Sequence, residues 1–203
     1  MAIRTLAQEE KRRQILDAAV RVFAAKGYHT CRVSDIAEEA GVAYGLVYHY
    51  FKSKDAVLES VFRQTWTDML ATIQSIEELD ASAREQIRKV VEVVLRTWKR
   101  NPDLVRVLVR EVVRSEQMQR QIDEIELAHE ALQRIVERGQ AEGEFRPDIA
   151  PQLAGWILYG AMEEMLTGWA LGRLDDGDQA VAAAEQAVLS TLCDGLKAAP
   201  IPA

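Results

Sequence analysis

The stretch VSDIAEEAGVAYGLVYHYFK, residues 33–52, leaves this chain few choices of local fold. Two short helical patterns flank a glycine. In the first, Ile36, Ala37 and Ala40 share one face; in the second, Val47 and either Tyr50 or Phe51 point inward. Gly41 can take the left-handed conformation that a sharp helix-to-helix turn requires. Ala37 is small where two helices cross closely, and Val42 and Val47 fill the space between them. The spacing predicts a helix-turn-helix whose second helix, about residues 44–50, would enter a DNA major groove. An ordinary helical hairpin has the same spacing, so the local pattern alone leaves both readings open.

The flanks bear on that choice. Upstream, Ile15, Ala18, Ala19, Val22 and Phe23 recur at helical spacing until Gly27 ends the run, and this helix would pack across the hairpin to complete a three-helix unit. Downstream, Ser53 can cap a new helix and Asp55 favours its positive end. KRRQILDAAVRVFAAKGY, VSDIAEEAGVAYGLVYHYFKSKDAVL and the long helical remainder together resemble the TetR family of bacterial repressors, most specifically over residues 11–62. The resemblance implies a DNA-binding domain over residues 1–53, a ligand-binding and dimerisation domain over 54–197, and a tail over 198–203.

Charge divides along the chain in the same sense. Residues 1–55 hold nine Lys or Arg against seven Asp or Glu, and the rest hold sixteen against twenty-five, which together make the net −7. Arg4, Lys11, Arg12, Arg13, Arg32, Lys52 and Lys54 concentrate positive charge where phosphates would lie, although a solvated helix face also explains Lys11–Arg13. No run approaches the roughly 18 apolar residues of a membrane span, and the N-terminus lacks a secretory stretch. Cys31 and Cys193 stand far apart, outside metal-ligand spacing, and fit reduced thiols of a cytoplasmic protein. Neither a metal nor a cofactor is expected.

Beyond Phe51 the pattern is helical throughout. Amphipathic stretches are expected over 54–76, 82–99, 103–115, 117–141, 149–171 and 178–197, for an all-α chain of about nine helices. The last two are unusually apolar, with Leu153, Ile157, Ala161 and Met165 on one and Val181, Ala184, Val188, Leu189 and Leu192 on the other. In a monomer these stripes would be core; the resemblance implies that they build a homodimer interface.

Within the expected recognition helix, Ala43, Tyr44, Gly45, Leu46, Tyr48 and His49 are the candidates for facing DNA. None is Arg, Lys, Asn or Gln, so reading would rest on thymine methyls, single hydrogen bonds and DNA shape. Arg32 is the best candidate for a base contact by a long side chain. Tyr48, Tyr50 and Lys54 match phosphate-contact positions of the family, whereas Arg32 and Leu46 stand where many members have Thr or Ser.

In the remainder, Phe62, Trp66, Met69, Trp98, Leu104, Leu108, Tyr159, Met162, Leu166 and Trp169 are candidates for lining an effector site. Arg106, Arg110 and Arg114 recur every four residues and form a ladder that suits phosphates, or a solvated face. Glu163 and Glu164 interrupt the apolar GAMEEMLTGWAL and could meet a cationic drug beside Trp169, or pair with surface arginines. GEFRPDIAPQLAGWILYGAMEEMLTGWALG looks like the fatty-acid-degradation regulators of the same family, which implies a long-chain acyl-CoA as effector of a repressor. An acyl-thioester enzyme is the contrasting class. His29, His49 and His129 are scattered, however, and no nucleophile stands beside a base, so no catalytic residue is expected. His129 falls on an apolar stripe, where a core histidine with its hydrogen bonds met is expected.

Overall fold

The computed structural model describes residues 2–112 and 123–196, and several helices begin or end at a local signal. α1 (Ala2–Lys26) stops at Gly27, whose φ is +80°. α2 (Val33–Glu39) and α3 (Tyr44–Tyr50) follow. α4 (Lys54–Glu77) starts at Ser53, whose hydroxyl accepts from the Ala56 N–H at 3.1 Å. α5 (Ala83–Leu95) is capped by Ser82. α6 (Thr97–Arg100) and α7 (Pro102–Val107) come next, and α7 runs into a π-helical turn over Leu108–Val112. α8 (Asp123–Ala141), α9 (Pro151–Ala170, with proline in its first turn) and α10 (Asp178–Leu196) complete the chain. The chain is all-α; with α5 and α6 taken as one broken helix, and α7 with its π turn as another, the described residues form nine helical rods.

Two expected helices differ in detail. The run over 82–99 breaks at Arg96; there the Thr97 hydroxyl donates to the Val93 carbonyl at 3.0 Å and Arg100 reaches the same oxygen at 3.4 Å. Side-chain bonds of this kind compete with the helix ladder. The run over 103–115 begins as α-helix and widens to π from Leu108. Arg114, Met118, Ile122 and the tail over 198–203 lie outside the described residues.

The chain forms two compact units. The first takes Met1–Thr65 with Asp103–Gln121, and the second takes Trp66–Pro102 with Ile122–Ala203. The first therefore runs past residue 53. Val57, Leu58 and Val61 of α4 and Val107 of α7 join Ile15, Ala18, Ala19, Val22, Phe23, Ile36, Ala37, Ala40, Val47 and Phe51 in one buried cluster.

In the second unit α5, α8, α9 and α10 pack on one another. Ile87, Val90, Val91, Leu95, Leu132, Ile135, Val136, Leu158 and Cys193 are buried there. Polar groups close its joints. Gln86, with no exposed surface, donates to the Glu77 and Leu79 carbonyls at 2.9 and 3.0 Å and so satisfies the end of α4. The Glu144 carboxylate accepts from the Ala83 and Arg84 N–H groups at 2.9 and 3.0 Å, which places negative charge at the positive end of α5.

Gly139 marks the tightest approach. A Cβ there would lie 2.4 Å from the buried Phe145 ring and 2.7 Å from Ala83 Cβ. Gly139→Ala gains about 1 kcal/mol of helix propensity, but overpacking against a ring that cannot move costs about 1–3 kcal/mol. The expected outcome is a net loss of up to about 2 kcal/mol, read as a lower urea midpoint with an unchanged m value.

Candidate nucleic-acid interface and effector-binding residues

The turn between α2 and α3 is built from the backbone outward. Gly41 has φ +61°; its N–H donates to the Glu38 carbonyl at 3.0 Å and the Val42 N–H to the Ala37 carbonyl at 3.0 Å. That pair of bonds is a Schellman ending, which needs the left-handed residue. Gln14 of α1 donates to the Ala40 carbonyl at 2.7 Å, so α1 grips the turn directly. At the other end of α2, Asp35 accepts from the Arg32 N–H at 2.7 Å and pairs with Lys26 at 2.8 Å. The bond to Lys26, helped by the Arg32 N–H, holds the Asp35 carboxyl below its ordinary range, and Asp35 in turn raises Lys26.

On α3 only Val47 is fully buried, with Phe51 buried just past its end and Tyr50 half-buried. Ala43, Tyr44, Gly45, Tyr48 and His49 are exposed, and Leu46 is half-buried. The Tyr44 and Tyr48 rings lie 4.9 Å apart, 52% and 40% exposed, so they form one aromatic ledge. A hydrogen bond to Tyr48, in which the Tyr44 hydroxyl donates, raises the Tyr44 phenol above its usual range. Arg32 and Lys52 are exposed beside the ledge in sequence, and Arg12 lies over the Phe51 ring at 5.5 Å.

Lys54 has a second occupation. Its ammonium donates to the Tyr28 and Cys31 carbonyls at 2.5 and 2.9 Å and lies 4.6 Å from the Tyr28 ring centroid. The Tyr28 hydroxyl donates to Asp55. Together these bonds tie the start of α4 to the loop after α1. Nothing in the local sequence announces them, because Tyr28 and Lys54 meet only through tertiary packing.

The expected effector-lining residues fall in both units. Phe62, Leu104, Arg106, Leu108 and Arg110 belong to the first. There Phe62 is buried, Leu104 packs on the core beneath α1–α3, Arg106 pairs with Asp103 at 2.9 Å, Leu108 is half-buried and Arg110 is exposed. In the same unit His29 lies 3.8 Å from Glu111 of the π turn.

Trp66, Met69, Trp98, Tyr159, Met162, Glu163, Leu166 and Trp169 belong to the second unit. Trp98 and Trp169 are buried and stacked at 6.5 Å, and their N–H groups bond the Asp176 carboxylate at 3.2 Å and the Asp175 carbonyl at 3.0 Å. Both rings thereby hold the loop between α9 and α10. Met162 is buried, and Met69 and Leu166 are half-buried. Glu163 is half-buried; burial first, then the charge of Glu164, raises its carboxyl above the usual range, and no arginine or lysine pairs with it among the described residues.

The expectation that His129 has its hydrogen bonds met is corrected. Its Nδ1 is buried with no partner among the described residues, while its ring stacks on Trp156. An apolar stripe announces burial but not the fate of a ring nitrogen. Among the described residues no cluster of His, Cys, Asp or Glu could hold a metal, and no helix is long and apolar enough to cross a membrane.

A three-helix unit that presents an exposed second hairpin helix, together with a separate helical unit, is the build of a DNA-binding regulator. Comparison with known proteins agrees. Residues 15–61 match the model of bacterial regulatory proteins of the tetR family, and residues 84–162 match the tetracyclin repressor-like C-terminal domain. The fatty acid metabolism regulator protein of Bacillus subtilis is 30% identical over 185 residues, 90% of this chain and 94% of that protein. The crystal structure of the regulator FadR from B. subtilis in complex with stearoyl-CoA superposes with a TM-score of 0.80 at 29% identity, over 90% of this chain and 98% of that one. The fatty acid degradation regulator FadR from Bacillus halodurans gives 0.79 at 27%, over 93% and 97%. The chain belongs to the TetR family: it is a TetR-type transcriptional repressor, and its relatives are regulators rather than enzymes.

Removing the Lys54 ammonium leaves two carbonyls without their donor. Lys54→Ala is expected to cost about 1 kcal/mol of stability, discounted for partial exposure. Thermal unfolding of the isolated protein, without DNA, measures this directly.

Proposed function

We propose that this protein is a cytoplasmic homodimeric repressor released from its operator by a long-chain acyl-CoA. The observation that carries the effector is the likeness, over nine-tenths of the chain, to a regulator whose structure contains stearoyl-CoA. The functional division proposed is DNA reading by residues 1–53 and effector binding and dimerisation by 54–197. Tyr44, Tyr48 and His49, with Ala43, Gly45 and Leu46, read the major groove. Arg32 reaches a base, and Tyr50, Lys52 and the remaining donor of Lys54 meet phosphates. Arg106 and Arg110 meet the phosphates of the effector, and the acyl chain lies on the apolar side chains from Phe62 to Trp169 named above.

Dimerisation through α9 and α10 is supported by an exposed apolar face on α9, while Val181, Val188 and Leu189 of α10 are buried within the protomer. Leu153, Trp156 and Ile157 are 60, 56 and 56% exposed, and a Cβ at Gly160 would meet nothing. A stripe of this kind on a monomer's surface marks an interaction site. Two copies also double the bases read, since one recognition helix reads few. One observation favours a different effector: the unpaired Glu163 would suit a cationic aromatic drug.

Fluorescence anisotropy of a duplex from the gene's own upstream region tests the effector. Saturable binding that hexadecanoyl-CoA abolishes and free coenzyme A leaves intact is the expected result. Binding indifferent to the thioester keeps the repressor and removes this effector. Ile157→Asp is expected to give a monomer by light scattering, with operator affinity at least about tenfold lower. A dimer that persists with full affinity would move the interface elsewhere.

A further inference from the structure

The second unit contains an aromatic cluster whose polar edge is unused. Trp156, Tyr159 and Glu163 are spaced three and four residues apart on α9, so they share one face. From α8, His129 lies nearly parallel to Trp156, with centroids 4.2 Å apart and planes at 18°. It also meets Tyr159 at 4.4 Å. Trp66 of α4 stacks on Tyr159 at 6.1 Å and 29°.

Elsewhere in this unit the Gln86 amide N–H and the Trp98 and Trp169 N–H groups are spent on structure. The polar groups here are not. Among the described residues Nδ1 of His129 has no partner, the Tyr159 hydroxyl bonds no protein group, and Glu163 has neither hydrogen bond nor ion pair. A buried polar atom left unmatched costs about 1–3 kcal/mol. His129 Nδ1 is such an atom, and the half-buried Tyr159 hydroxyl and Glu163 carboxyl beside it are free to bond a ligand.

We propose that this patch takes the acyl group of an effector carrying a hydroxyl, with the oxygen held by His129, Tyr159 and Glu163 and the carbon skeleton laid on the rings of Trp66 and Trp156. The inference rests on the acyl-thioester reading above and narrows it. A saturated chain laid here would bury all three polar groups unmatched. A fully alkylated cation would answer Glu163 but offer no hydrogen bond to the imidazole or the phenol. A hydroxyl donates once and accepts as well, which the set requires. Burial keeps His129 neutral more readily than an exposed histidine, so its ring can offer an acceptor nitrogen.

Isothermal titration of the full-length protein with matched thioesters tests this. The probes are hexadecanoyl-CoA, 3-hydroxyhexadecanoyl-CoA and 16-hydroxyhexadecanoyl-CoA. One hydroxylated ester is expected to bind at least about tenfold more tightly than the saturated one. Tyr159→Phe, which removes one oxygen and keeps the ring, is expected to weaken the hydroxylated ester at least about fivefold more than the saturated one. Glu163→Gln serves as the second variant, with the same differential expected. Equal binding of all three esters, or equal losses in both variants, overturns the hydroxyl and leaves the acyl-CoA effector standing. Failure of every thioester to bind removes the acyl-CoA effector and this inference with it.

Discussion

A helix of seven residues does not hold its shape in water by itself. α3 exists because Val47, with no exposed surface, is locked into the cluster formed by Ile15, Ile36 and Val57 from three other helices. That single point of burial sets the rotation of α3 about its axis. Tyr44 and Tyr48, four residues apart, share a face to one side of Val47 and form an exposed ledge, with His49 exposed beside them. The DNA-reading surface is therefore a consequence of how one valine packs.

Burial decides which face is in, and hydrogen bonds decide where each helix begins and ends. Helix termini leave backbone groups without partners, and these are the groups the polar side chains answer. Gln14 takes the Ala40 carbonyl, Asp35 the Arg32 N–H, Lys54 the Tyr28 and Cys31 carbonyls, and Glu144 the first N–H groups of α5. Exposed ion pairs such as Arg21–Glu39 add little by comparison.

An effector changes DNA binding only if it prefers one arrangement of the protein over another. Within the first unit, Leu104 and Val107 pack on the same core that carries α3, and Glu111 lies beside His29. A ligand that meets Arg106 or Arg110, as proposed, therefore touches the compact unit that holds the recognition helix. No long-range path through the molecule is needed for that contact to matter.

The helical class, the turn at Gly41 and the inward faces of α1–α3 were legible in the sequence. Spacing of apolar residues and a residue able to adopt positive φ are local properties, and the local pattern agrees with the packing. The break at Arg96 and the π turn after Val107 were not legible, because neither disturbs the apolar period of its run. Lys54 read as a phosphate-contact position, with no sign of the two carbonyls it also bonds in the fold; His129 read as a core residue with its bonds met, and in the fold it is stacked with Nδ1 unmatched. The sequence by itself determined the helical class, the turn at Gly41 and the inward faces of α1–α3. Only the tertiary structure decided which polar atoms find partners, because a hydrogen bond depends on placing two groups from distant parts of the chain within about 3 Å.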